Sequence, residues 1–175
     1  MIVGFGNIDR GDDGVAYEVI NTLRRRQGGE PLDEEDTGLE TLGAKVDSVF
    51  LSQLTPDLME ILSGYDRVAF VDAHVYEDIN DLQVVPLLPE YTPSILTHHL
   101  TPGMLLALVK AVYGHEPLGR LISIRGYDFD FHRGLSAGTR ALAERAVDHL
   151  LAWLAGEGAG PDAEPSPRSA EPSCR

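Results

Sequence analysis

Residues 4–14 read Gly-Phe-Gly-Asn-Ile-Asp-Arg-Gly-Asp-Asp-Gly, and they join a short apolar strand to a helix. Gly4 and Gly6 let the backbone turn tightly and leave space above the end of the strand, where open α/β sheets bind their ligands. Asp12 and Asp13 stand at the helix entrance, where their charges repel an anion such as phosphate. The pattern therefore predicts a cation at the end of the first strand.

The composition restricts the class of protein and its partners. A chain of 175 residues that is 43% hydrophobic can bury a sizeable core within one domain. Its formal net charge of −14 disfavours nucleic acid and anionic membrane surfaces, so we expect neither as a partner. The only cysteine is Cys174, which excludes a disulfide framework and a thiolate metal site. Since we find no leader segment and no apolar run of membrane-spanning length, we expect a cytoplasmic protein.

Strand and helix patterns alternate along the chain, which predicts the α/β class. The expected architecture is a three-layer α/β/α sandwich around a mostly parallel central sheet of about five strands. The predicted strands are Ile2–Val3, Lys45–Phe50, Arg67–Ala73, Leu82–Leu87 and Leu118–Gly126. The predicted helices begin near Asp12, Pro56, Pro102 and Ser136. Residues 27–42 are predicted to form a solvated loop without a core element. We expect one domain over residues 1–155 and a disordered Pro/Ser-rich tail over 156–175.

Three polar features are predicted to meet at the carboxyl edge of this sheet. They are the pair Asp12 and Asp13, then Asp72 at the end of an apolar strand, and the pair His98 and His99 before a later helix. Two carboxylates and one imidazole suit a divalent metal of intermediate hardness and leave positions open for other ligands. Within the first pair, Asp12 is more typical of a cap or a loop-organising group. First principles do not choose between the two histidines.

Other polar residues near this edge have more ordinary interpretations. His74 follows Asp72 closely, and we interpret it as a rim histidine, with support of Asp72 as the alternative. Asp128 and Asp130 border the same crevice and are typical of turn formation. No serine has an evident histidine and acid partner, so the sequence favours neither a serine nor a cysteine protease.

The order and spacing of these motifs resemble those of the nickel-iron hydrogenase maturation endopeptidases. The resemblance rests on Gly4-x-Gly6-Asn7 with Asp12-Asp13-Gly14, on Val71-Asp72-Ala73 and on the Thr-His-His-Leu segment at 97–100. It covers roughly residues 1–150. The implied fold is a sheet between helices, in agreement with the strand and helix pattern.

The resemblance also implies an activity and a ligand set. The activity is removal of a C-terminal extension from a hydrogenase large-subunit precursor after nickel insertion. The residues that contact nickel in that family correspond to Asp13, Asp72 and His99, which are the expected catalytic and metal-contacting residues here. The nickel is expected to arrive with the substrate, and the protein is expected to act as a monomer.

Two other functions fit part of the same sequence. A chaperone that holds the precursor without cutting it would share every residue named above. A nucleotide-binding regulatory module would use Gly4-x-Gly6 as a degenerate dinucleotide loop. The second alternative ranks lower because Asp9 stands where the third glycine belongs and because Asp12 and Asp13 oppose a pyrophosphate.

Overall fold

The computed structural model describes residues 1–90 and 100–156. The strands are β1 (Ile2–Phe5), β2 (Ser48–Leu51), β3 (Arg67–His74), β4 (Leu82–Leu87) and β5 (Leu118–Arg125). The helices are α1 (Val15–Arg26), α2 (Leu58–Leu62), α3 (Pro102–Tyr113) and α4 (Ala137–Leu154). The strands form one sheet in the order β2-β1-β3-β5-β4, and only β4 runs antiparallel to its neighbour. The predicted mostly parallel sheet of about five strands is confirmed.

Two apolar clusters cover the two faces of the sheet. Side chains alternate along a strand, so Val71 of β3 packs beneath α1 and α4. Its neighbour Phe70 belongs to the other cluster, which includes apolar residues of α2 and α3. The predicted three-layer α/β/α arrangement is therefore confirmed, and Asp72 follows the same alternation onto the face of α2 and α3.

Residues 27–42 are anchored to the core more firmly than their composition predicts. Leu32 is buried within the cluster beneath α1 and α4. Its amide donates a hydrogen bond of 2.7 Å to Asn21 Oδ1, and its carbonyl accepts one of 2.7 Å from the Tyr17 hydroxyl. The prediction that this segment has no core element is wrong, because α1 supplies polar partners for the buried backbone of Leu32.

Strand β2 begins at Ser48, three residues later than predicted. The Asp47 carboxylate accepts hydrogen bonds from the amides of Gly43 and Ala44 and from the Tyr65 hydroxyl. These bonds fold residues 43–47 into a turn and delay the start of the strand.

The remaining predictions about the chain have different outcomes. None of the helices within residues 1–90 and 100–156 combines the length and apolar character needed to cross a membrane. The predicted disordered tail lies outside the described residues except for its first residue, Gly156. The segment that carries His98 and His99 lies outside them as well.

Candidate active site

A tight turn after β1 positions the carboxylate of Asp13. Gly6 has φ of 145°, and a Cβ atom there would lie 2.1 Å from the Asp13 carbonyl oxygen, so the position requires glycine. The next amide, that of Asn7, donates a hydrogen bond of 3.0 Å to Asp13 Oδ2. The Asn7 side chain accepts a bond of 2.9 Å from the Asp9 amide, which closes the turn. The turn therefore holds Asp13, which is half-buried, over the carboxyl end of β1.

Asp72 lies at the carboxyl end of β3, the strand next to β1. Burial, with a smaller contribution from the negative charge of Asp13, raises the pKa of its carboxyl to about 7. The Ala73 amide, which donates a bond of 2.8 Å to Asp72 Oδ1, opposes that rise. The structure thus brings Asp13 and Asp72 together at one edge of the sheet. A partly buried carboxylate beside a second one is costly without a cation, so this pair is suited to bind one.

Asp12 points away from this pair and into the protein. Its fully buried carboxylate accepts hydrogen bonds from the amides of Tyr127, Asp128 and Ser136 at 2.7, 3.0 and 2.7 Å. The hydroxyls of Ser136 and Thr139 donate two more, at 2.7 and 2.8 Å. Burial alone would raise the pKa of this carboxyl, but the hydrogen bonds outweigh it and lower the pKa. Asp12 is therefore a loop-organising group that joins the turn after β1 to the start of α4.

His74 is the residue near the site that sequence reasoning described least well. Only 6% of it is exposed, so the interpretation as a rim histidine is wrong. Its Nδ1 atom lies 2.9 Å from Ser123 Oγ, and burial lowers the pKa of the imidazole. The alternation of side chains along β3 is the signal by which the sequence could have revealed this, because a residue two positions after Asp72 lies on the same face of the sheet.

Within the described part of the chain, the His74–Ser123 pair has no third member of a catalytic triad. Among the described residues, His74 Nε2 has no hydrogen-bond partner, so no carboxylate orients the ring. Ser123 lies opposite Asp72 in the register between β3 and β5, which places the pair directly beside the candidate site.

The loop after β5 closes one side of the same edge. Asp128 Oδ1 accepts a hydrogen bond of 3.0 Å from the Asp130 amide, and Asp128 Oδ2 lies 3.0 Å from His132 Nε2. These local contacts agree with the interpretation of both aspartates as turn formers.

The turn after β1 is poorly suited to bind a pyrophosphate. The Gly6 amide donates to the Leu51 carbonyl at 3.1 Å, and the Asn7 amide donates to Asp13. Both are therefore engaged within the protein, whereas a dinucleotide loop presents its backbone amides to phosphate. This geometry argues against the nucleotide-binding alternative.

A cleft of about 640 Å³ begins at this turn. Gly6 and Asn7 line one end, the segment from Glu34 to Thr37 lines one wall, and the apolar side chains of Leu58 and Ile61 from the region of α2 contribute another. Arg133 forms ion pairs with both Asp9 and Glu34, which line this cleft. The anchored loop over residues 27–42 therefore shapes the space beside the candidate site.

No protein-family model matches this sequence, and no curated protein matches it. Solved structures match over most of the chain. One is the NiFe hydrogenase maturation protease HycI from Thermococcus kodakarensis KOD1, with 21% identity, a TM-score of 0.59 and coverage of 89% of this chain and 91% of that chain. Another is the hydrogenase maturating endopeptidase HybD from E. coli, with 18% identity, a TM-score of 0.61 and coverage of 90% and 92%. A solution structure of an endopeptidase from Escherichia coli has 20% identity, a TM-score of 0.63 and coverage of 90% and 93%.

This chain has the fold of the NiFe hydrogenase maturation proteases. The resemblance that the motifs indicate is thereby confirmed at the level of the fold.

On this maturation-protease fold, the assignment of Asp13, Asp72 and His99 as site residues stays a prediction, and His99 lies outside the described residues. The helix that follows it, α3, begins at Pro102 and is capped by the Thr101 side chain, which accepts a bond of 3.2 Å from the Met104 amide. Apolar residues of α3 pack on the sheet face that Asp72 shares. Within residues 1–90 and 100–156, no three His, Cys, Asp or Glu side chains are grouped as a metal site would require. A metal at Asp13 and Asp72 therefore needs ligands beyond the described residues.

Proposed function

We propose that this protein is an endopeptidase that removes the C-terminal extension of a nickel-iron hydrogenase large-subunit precursor after nickel has been inserted. Asp13, Asp72 and His99 contact the nickel that the precursor carries. The nickel is thus part of the substrate, and the protein reads its presence before cutting.

The observation that carries this proposal is the meeting of Asp13 and Asp72 at the carboxyl edge of the sheet. The proposal is further supported by the fold, which is shared with proteins described as hydrogenase maturation proteases. Two carboxylates are ordinary ligands for a divalent cation, and an imidazole is a common ligand for nickel. Three protein ligands leave coordination positions open for groups that belong to the precursor.

The proposed roles follow from how each group is held. The Gly6–Asn7 turn fixes Asp13, so its carboxylate needs little reorganisation when the metal arrives. Asp72 is partly buried, and a bound cation offsets the unfavourable burial of its charge. The nickel positions the adjoining peptide and polarises either the scissile carbonyl or an attacking water. The chain's own contribution is therefore orientation of the metal-bound peptide at a partly dry sheet edge.

The test is cleavage of the large-subunit precursor encoded with this protein, prepared with and without nickel. Wild type, Asp72→Asn and His99→Ala are each incubated with both forms, and the released peptide is identified by mass spectrometry. Asp66→Asn is the matched control, because Asp66 is an exposed aspartate directly before the opposite end of β3.

We expect nickel-dependent release of a C-terminal peptide by wild type and by Asp66→Asn. Both site variants should lose this activity by at least about a hundredfold, as for a positioned group in a metal site. Binding of the precursor by wild type without any cleavage would contradict the peptidase and support a protein that only holds the precursor. Full activity of Asp72→Asn would contradict the proposed site.

A further inference from the structure

Large apolar side chains are exposed at both ends of the sheet. In the described part of the chain the exposed ones are Val75, Tyr76, Leu88, Val112, Tyr113, Leu118, Tyr127 and Phe131. Half of them follow β3 or β5 directly and lie at the carboxyl edge, beside the candidate site. We call these four the apolar rim, and they are Val75, Tyr76, Tyr127 and Phe131. The others lie toward the amino edge, where β5 begins and α3 ends.

Two members of the apolar rim are connected to the two carboxylates through neighbouring residues. Tyr76 stacks on His74, with ring centroids 6.1 Å apart. His74 contacts Ser123, and Ser123 lies opposite Asp72 in the register between β3 and β5. The ring centroid of Phe131 lies 5.7 Å from the Arg10 guanidinium. The Arg10 carbonyl accepts a hydrogen bond from the Asp13 amide. These contacts therefore link the apolar rim to both carboxylates of the candidate site.

The exposed aromatic rings are also held in place before any partner arrives. Tyr76 rests on the His74 ring, Phe131 rests on Arg10, and Tyr127 lies 4.9 Å from the Arg125 guanidinium. Such contacts reduce the entropy that a side chain loses on binding. Exposed aromatics beside a site are typical of the anchor residues that dominate protein–protein interfaces.

Two cations contact the apolar rim, although the chain carries a net charge of −14. Arg10 lies against Phe131 and Arg125 lies against Tyr127, but Arg125 is already paired with Glu77 and Asp81. Arg10 is exposed and forms no ion pair with any residue in 1–90 or 100–156. The fitting partner surface is therefore apolar with an acidic group opposite Arg10.

We infer that the apolar rim is the docking surface for the folded body of the hydrogenase large-subunit precursor, which it holds through Tyr76 and Phe131 independently of nickel. The inference rests on the proposed function for the identity of the partner. Docking through the apolar rim supplies affinity, and the nickel at the carboxylates decides whether cutting follows.

The experiment measures the dissociation constant for the nickel-free precursor, which under the proposal is bound but not cut. Tyr76→Ser and Phe131→Ser are compared with Val112→Ser and Leu118→Ser. These controls match in exposure, since Tyr76 and Phe131 are 62% and 86% exposed and Val112 and Leu118 are 61% and 57% exposed. Circular dichroism and thermal unfolding confirm that each variant is folded.

We expect each variant in the apolar rim to weaken binding by about tenfold or more, as loss of an interface anchor does. The two control variants should stay within about twofold of wild type. The inference would be overturned if the rim and control variants changed the dissociation constant equally, or if the rim variants left it unchanged. It would also be overturned if wild type bound neither form of the precursor. Failure of the proposed function is a separate result, because it shows as absent cleavage of the nickel-loaded precursor while the difference in dissociation constants persists.

Discussion

Replacing Asp72 with asparagine should stabilise the metal-free protein above neutral pH, although it removes a carboxylate on which the proposed activity depends. The folded protein raises the pKa of Asp72 from 3.8 to about 7. For an acid, a raised pKa means that the folded state favours the protonated form, so stability falls as pH rises from about 4 to about 7. Asparagine is uncharged and nearly isosteric with aspartate, and its Oδ1 atom can still accept the hydrogen bond from the Ala73 amide.

The magnitude follows from the pKa difference. About three pKa units correspond to about 4 kcal/mol at most, which is the cost of the ionised Asp72 near pH 8. At pH 5 the folded protein retains this proton and the unfolded chain has lost it, so the cost is only about 2 kcal/mol. The gain from Asp72→Asn should therefore grow by about 2 kcal/mol between pH 5 and pH 8.

The assay is urea unfolding of the wild type and Asp72→Asn at both pH values, in the presence of a chelator. The control is Asp66→Asn, an exposed aspartate whose replacement should change the free energy of unfolding by no more than about 0.5 kcal/mol at either pH. Loss of stability at pH 8, or an equal gain at both pH values, would refute the reasoning that burial of an ionised Asp72 opposes folding.

Three further predictions concern the supports of the site. Asp12→Asn should lower the free energy of unfolding by about 2–4 kcal/mol at pH 7, since an amide nitrogen would face donors. Because folding lowers the pKa of Asp12, this difference should shrink in acid unfolding curves as pH falls through the folded pKa; a pH-independent difference would contradict the account. Gly6→Ala should lower the free energy of unfolding in urea by about 3 kcal/mol or more and abolish precursor cleavage, because its Cβ atom would meet Asp13. The control Gly28→Ala, where a Cβ atom has open space, should lower it by about 1 kcal/mol. Leu32→Ala should cost about 2–4 kcal/mol by urea unfolding through the cavity it leaves, and an unchanged midpoint would mean that the loop does not contribute to the core.

The sequence predicts the fold well because local signals and the burial pattern agree. The apolar run before Asp72 is long enough to specify a central strand, and the glycine turn before Asp13 can only join a strand to a helix in a tight geometry. The errors occur where side chains form hydrogen bonds with a loop. Asp47 delays the start of β2 because it bonds to the amides of Gly43 and Ala44 and to the Tyr65 hydroxyl, 18 residues away. Leu32 is buried because Asn21 and Tyr17, 11 and 15 residues away, bond to its backbone. The periodicity of apolar residues carries no signal for such bonds.

The sequence by itself determined the alternation of strands and helices, the edge of the sheet at which polar residues collect, and the candidacy of Asp13 and Asp72. These depend on periodicity and on where apolar runs end, both of which are local properties of the chain. Only the tertiary structure decided that Asp12 points inward while Asp13 points to the edge, and that His74 is buried against Ser123. Asp13 bonds to the amide of Asn7, six residues before it, only because Gly6 adopts its positive φ. Asp12 and His74 bond to partners more than 40 residues away, which only the folded chain brings within hydrogen-bonding distance.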